Sequence, residues 1–198
     1  MFNLFKNLFQ PKLVNAAQAW QQAGIQIKRQ TDNQPNNQPN NQTVSAYWLY
    51  AAPVHLALLR DSFSLAALLQ LEINEIEALT GALNKHFAFD ALDNKATFFW
   101  HETQWFLHLE TNPNIQTHAP KLALNKDINT FLPTGKGAIK WASFTNEIQM
   151  LLFEHPVNQA REAKNLPTVN SIWCYDGGEA NANEAATNKA STSEANAN

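Results

Sequence analysis

The sequence predicts an α+β domain, a mixed or antiparallel sheet packed by two or three helices. Three observations lead there. Runs of aromatic and aliphatic residues with strand-like alternation recur near 44–50, 96–110 and 169–175. Apolar stripes of helical period occupy 72–87 and 138–154. Strands and helices follow one another without a regular strand–helix–strand repeat, so a doubly wound parallel sheet is not expected.

The elements follow in order. Phe2, Phe5 and Phe9 share one helical face, with Leu4 and Leu8 beside them. A second helical patch, Val14–Gly24, closes at Gly24. Together they make an N-terminal amphipathic arm, residues 1–29, suited to docking on its own domain, on a protein partner or on a membrane surface. Residues 30–43, QTDNQPNNQPNNQT, hold no apolar side chain. Such a segment buries too little to offset its ordering entropy and is expected to be a disordered linker. Val44–Tyr50 alternates as a strand. Beyond Pro53, His55–Leu59 and Ser62–Leu65 read as extended segments around a turn at Arg60-Asp61. Glu72–Phe87 is a helix whose inner stripe is Ile73, Ile76, Leu79, Ala82, Leu83 and His86. Ala96–Trp100 and Gln104–Glu110 flank a turn as a half-buried hairpin. Gly137 precedes a helix over Ala138–Glu154, with Trp141, Thr145, Ile148, Leu151 and Leu152 facing inward. Pro156 ends it, because proline lacks the amide donor and clashes with the preceding turn. A short helix, Val157–Lys164, and a last strand, Val169–Tyr175, complete the domain at Gly178. Residues 179–198 are Ala, Asn, Ser, Thr and Glu in the main and read as a disordered tail. The folded domain is therefore expected over 44–178.

Composition narrows the function classes. At 198 residues, 44% of them hydrophobic, the chain suffices for one cored domain. A net charge of −3 gives no basic footprint for nucleic acid. The charge is uneven: Lys6, Lys12, Lys28 and Arg29 oppose only Asp32 in the arm and linker. No apolar run reaches the ~20 residues of a membrane span. No secretory leader is apparent in MFNLFKNLFQPK. A single cysteine, Cys174, suits a reducing, cytoplasmic setting.

The candidate chemistry is densest between Asn146 and Gly178. With Pro156 at a helix start, free amides and Arg161 would favour a carboxylate or phosphate, and Asn158 a hydroxyl. The same residues also suit structural roles: His155 as a cap, Asn158 on backbone, Arg161 paired with Glu154 or Glu162. Arg60-Asp61 reads either as a pair fixing its turn or as a poised carboxylate. Thr134-Gly135-Lys136-Gly137 departs from the P-loop pattern and reads as a turn. None of the six histidines makes an HxxxH pair, so no metal site is expected. Trp173 lies beside the polar cluster on the last strand. Cys174 alternates with it and has no base at hand.

Several of these segments carry a resemblance. PVHLALLRDSFSL at 53–65, FLPTG at 131–135, NEIQMLL at 146–152 and HPVNQAREAKNLPTVNSIW at 155–173 resemble the bacterial RpfE-type regulatory protein family. Its members often bear the label phosphoglycerate mutase. The segment 155–173 is also similar to part of the archaeal-type cofactor-independent phosphoglycerate mutases. Where the family usually closes Trp-Leu-Trp-Gly-Gly-Gly, this chain has Trp173, Cys174, Tyr175, Asp176, Gly177 and Gly178. Such mutases use a two-metal site of Asp and His residues with a Ser or Thr carrying the phosphoryl group, and those motifs are not found here. The resemblance thus implies a non-catalytic regulatory protein. Its expected ligand is a small phosphorylated or carboxylated metabolite, or a protein partner engaged through the arm. The alternative is a phosphoglycerate mutase. Under the first reading His155, Asn158, Arg161, Asn170, Trp173, Arg60 and Asp61 form the ligand site, with no cofactor and no metal.

Overall fold

The computed structural model describes residues 15–22, 46–88 and 95–180. The expected linker, the Phe2–Phe9 face and nearly all of the expected tail lie outside the described residues. Among the described residues ten elements run in chain order: α1 (Ala16–Gln22), β1 (Ala46–Leu58), β2 (Phe63–Leu68), α2 (Ile73–His86), β3 (Ala96–His101), β4 (Gln104–Leu109), α3 (Pro120–Ala123), α4 (Ala138–Phe153), α5 (Pro156–Ala163) and β5 (Ser171–Ala180). A 3₁₀ turn, Ile128–Phe131, lies between α3 and α4. The fold is α+β, as expected, and the sheet is antiparallel throughout its strand pairs.

Strand β1 organises the sheet. It pairs with β4 over Tyr47–Tyr50, with β2 over Val54–Leu58 and with β5 over Ala46–Val54. It runs unbroken through Pro53, where two separate segments were expected. Proline lacks a donor but can still accept, and the Pro53 carbonyl takes the Leu69 amide at 3.0 Å. β5 likewise continues past Tyr175, through both glycines, to Ala180. A bulge around Asp176, whose φ is 48°, absorbs one extra residue opposite β1 and keeps the pairing going. Gly178 makes room for another neighbour: a Cβ there would lie 2.8 Å from the Asn15 side chain, just before α1.

Alternation along β1 distributes the core over both faces. Leu49 and Ala51 enter the main core with Ile76, Leu79 and Leu83 of α2 and Trp141, Ile148 and Leu152 of α4. Trp48 enters a second cluster on the other face, where Trp20 of α1 stacks on it at 4.6 Å. Val54 and Leu56 enter a third, closed by Ala123 of α3 and Ile128. The β3–β4 hairpin is therefore covered on both sides, where a half-buried one was expected: Phe106 is buried against α1 as fully as Leu107 against the main core.

The helices keep their expected places with local corrections. In α2 the ends of the expected stripe, Ile73 and His86, are exposed. Thr80 is buried instead, its hydroxyl donating to the Ile76 carbonyl at 2.7 Å. Glu72 and Glu75 form a capping box at its start. In α4 the sequence stripe omits Phe144, which packs against Phe87 and Trp141. Gly137 before α4 is required by close approach, since any side chain there would collide with the Pro113 carbonyl. That contact accounts for the glycine without a phosphate cradle.

Candidate functional site

The segment from α5 into β5 gathers four of the expected site residues. Pro156 takes the first turn of α5, where its missing amide costs nothing. His155 caps this helix, its Nδ1 accepting from the Val157 amide at 3.2 Å. That geometry requires Nδ1 to be unprotonated, and burial holds the His155 pKa below its ordinary value. Asn158 is 2% exposed. Its Nδ2 donates to the carbonyls of Leu152 (2.7 Å) and Val169 (2.8 Å), and its Oδ1 accepts from the Val169 amide at 2.8 Å. Arg161 is 6% exposed. Its Nε donates to the Pro167 carbonyl at 2.7 Å, and its Nη1 reaches both carboxylate oxygens of Glu75 on α2, at 2.9 and 3.0 Å. Its partner is thus Glu75, distant in sequence, where Glu154 or Glu162 had suited a structural role. Asn170 extends the sheet just before β5: its Oδ1 accepts from the Leu56 amide at 2.7 Å and its Nδ2 donates to the Leu56 carbonyl at 2.8 Å.

These side chains fasten α5, α2 and β1 to the entry of β5. Trp173 lies on the opposite side of that entry, and Arg60 and Asp61 stand apart. The latter pair is exposed in the turn between β1 and β2, which the Leu59 amide closes by donating to the Ser62 carbonyl at 2.8 Å.

A cleft of about 330 Å³ opens beside Trp173, between α4, β5 and the segment 118–133. It straddles β5: Ile172 and Cys174 belong to the main core, while Trp173 joins Leu56 in the third cluster. Phe131, Pro133 and Trp141 supply further apolar wall. The polar groups on it are His118, Thr145, Asn146, Gln149 and Ser171, and among the described residues no lysine, arginine or carboxylate lines it. His118 is set in place from two sides. The Trp173 Nε1 donates to its carbonyl at 2.8 Å, and its ring meets Phe131 edge-on. Its Nδ1 is buried and has no hydrogen-bond partner. The Gln149 Nε2 donates to the Ser171 hydroxyl at 3.5 Å, at the outer limit of a hydrogen bond. Cys174 is buried, and burial pushes its thiol well above the ordinary range, which keeps it protonated and a poor nucleophile.

Sequence reasoning missed His118. It stands in an irregular stretch with no periodic pattern, far from the dense segment, and only the fold brings it to Trp173. Among the described residues no three of His, Cys, Asp and Glu lie close enough to hold a metal ion. Among them, too, no helix is long and apolar enough to cross a membrane.

No protein-family model and no curated protein matches the chain. Among solved structures, its fold is similar to the cofactor-independent phosphoglycerate mutase from Thermoplasma acidophilum DSM 1728, with a TM-score of 0.52. The two share 16% sequence identity over 69% of this chain. The chain spans 38% of the mutase's length. The likeness establishes a phosphoglycerate-mutase-like fold for the matched part.

Proposed function

We propose that this chain is a non-catalytic regulatory binding protein of the RpfE type, cytoplasmic, which takes a small metabolite or a partner's side chain into the cleft beside Trp173. The cleft carries this reading. Its volume of about 330 Å³ sits at the low end of ligand pockets, and its wall is apolar with a few convergent polar groups. Phosphoryl transfer calls for cations around the transferring group and an activated nucleophile. The wall offers neutral hydroxyls and the protonated Cys174 thiol, which favours binding over turnover.

The acidic ligand expected from the sequence has a narrower route. Arg161 is the cation of the α5 cluster, and Glu75 already occupies it. A metabolite carboxylate would bind there by taking the place of Glu75. A phosphate dianion would lose more hydration on entering the same site.

Thermal shift of the purified chain tests the reading, with carboxylic acids, phosphoglycerates and phosphoenolpyruvate, each with and without manganese. A ligand present at 100 times its dissociation constant adds about 2.7 kcal/mol. The expected result is a saturable shift that Trp173→Ala reduces, with no interconversion of 3- and 2-phosphoglycerate. Metal-dependent interconversion would overturn the non-catalytic reading in favour of a mutase.

A further inference from the structure

We infer that the chain's own N-terminal segment, residues 2–9, docks at the cleft, and that a ligand entering the cleft displaces it. The docking stands apart from the binding reading above, and the competition rests on that reading. Three observations converge on the segment.

The surface comes first. Ala142, Asn146 and Gln149 of α4 line the cleft. Ile139, Met150 and Phe153 stand three or four positions from them, hence beside them on the helix surface. These three are 85%, 70% and 79% exposed. An apolar wall that continues into exposed apolar side chains marks an interaction surface. The route comes second. Over Tyr47–Tyr50, β1 has β4 on one edge and β5 on the other, and among the described residues β5 pairs with β1 alone. Helix α1 crosses this sheet from Asn15, beside Gly178 of β5, to Trp20, which meets Trp48 of β1, Phe106 of β4 and Phe99 of β3. The chain ahead of Asn15 therefore sets out from the outer edge of β5, the strand that also lines the cleft. Gly178 lies four residues beyond Cys174, about 13 Å at the rise of a strand. Phe9 lies six residues ahead of Asn15, a reach of up to ~20 Å. The tether is thus long enough to bring Phe9 and the residues before it to the cleft. The character of the segment comes third. Phe2, Leu4, Phe5, Leu8 and Phe9 suit an apolar wall, and residues 1–14 carry Lys6 and Lys12 with no acid. Asp176, exposed on β5 between Gly178 and the cleft, complements that charge. Tethering favours this occupant over a second copy, because a short linker holds its segment at an effective concentration of millimolar order.

The test places a nitroxide on Asn7→Cys in the full chain and reads the broadening of the tryptophan indole N–H signals by NMR. Cys174 is buried, so the added thiol takes the label. The expected result is that Trp141 and Trp173, on the cleft wall, broaden more than Trp20 and Trp48, on the α1 face. Phe5→Ser with Phe9→Ser should abolish that difference while Trp20 and Trp48 keep their signal positions, which shows the fold intact. Stronger broadening of Trp20 and Trp48 would overturn the docking. Mixing nitroxide-bearing chain with isotope-labelled chain that lacks it should broaden nothing. Equal broadening in that mixture would assign the occupant to a second copy and overturn the intramolecular contact. The competition is read with the apolar dye 1-anilinonaphthalene-8-sulfonate. The doubly substituted chain should bind it about tenfold more tightly, the gain when a cleft covered nine-tenths of the time is cleared. Equal dye affinity would overturn the competition. Docking seen by NMR beside a flat thermal-shift screen of the doubly substituted chain would sink the binding reading and leave the docking standing.

Discussion

The two sides of the β5 entry use similar polar residues to opposite ends. On the α5 side, Asn158, Arg161 and Asn170 spend their amide and guanidinium groups on the backbone of Leu152, Val169, Pro167 and Leu56 and on Glu75. On the cleft side, His118 Nδ1 has no partner, and Gln149 reaches Ser171 only at 3.5 Å. Saturated polar networks rigidify, whereas partly satisfied ones leave the chain less firmly tied. Polar density along a sequence marks a place where chain segments are tied. It marks a binding site only where some of those groups are left over.

Substitutions on the two sides should differ most in urea unfolding. Asn158→Ala strands the buried Val169 amide and carbonyl, each costing ~1–3 kcal/mol, and leaves the Leu152 carbonyl with the His155 amide, so a loss of about 4 kcal/mol is expected. Arg161→Ala leaves Glu75 without its charge partner and should cost about 3 kcal/mol. Replacing both members, as Arg161→Met with Glu75→Leu, should recover part of that loss, because two desolvated charges disappear together while the α2 capping box is lost. Gln149→Ala on the cleft side should cost less than ~1 kcal/mol. A cleft-side loss as large as the Asn158 one would show that the cleft, too, is a structural brace.

How much of this was legible in the sequence follows from where the information lies. Periodicity is local, so the helices over 72–87 and 138–154 and the hairpin over 96–110 could be read with their ends nearly in place. Pro53 misled because a proline in a strand is judged by which amides the neighbouring strand needs, and that depends on partners far along the chain. Phe106 misled for a related reason: its burial depends on Trp20, from a helix that precedes the sheet by a stretch whose residues 30–43 carry no apolar side chain. In the site, the density of His155, Asn158, Arg161 and Asn170 was visible, but their partners were not. Arg161 meets Glu75 across 86 positions, and Asn170 meets Leu56 across 114. Trp173 follows the cluster along the chain, but its indole turns to His118. His118, 55 positions before it, had no local signal.

A middle-sized effect comes from protons. His155 Nδ1 accepts the Val157 amide, and burial lowers its pKa from 6.5. His108 is lowered too, first by burial and then by Lys95, with Glu110 opposing. A histidine whose folded pKa lies below its unfolded value stabilises the fold above the unfolded value. The unfolded chain binds more protons in the window beneath 6.5, so stability falls as pH drops through it. Unfolding midpoints should therefore decline from pH 7 toward pH 5. His155→Asn keeps a capping side chain and removes the titration, so it should flatten part of the slope. An unchanged slope in that variant would detach His155 from the effect.

The smallest expected change separates local from global motion on the two sides. Cys174 lines the cleft, yet its thiol is buried and its pKa is raised by that burial. A thiol reagent at pH 8 should then label the native protein only through opening. If opening is global, labelling tracks the stability of the whole fold, and Asn158→Ala accelerates it by roughly the factor of 10³ that ~4 kcal/mol represents. Gln149→Ala, which loosens only the cleft wall, should accelerate it a few-fold, in line with a loss below ~1 kcal/mol. The reverse ranking would mean that the cleft side opens by itself, independently of the α5 braces. A ligand seated against Ile172 and Trp173 would then slow labelling directly by holding the cleft closed, which turns the lone cysteine into a reporter of occupancy.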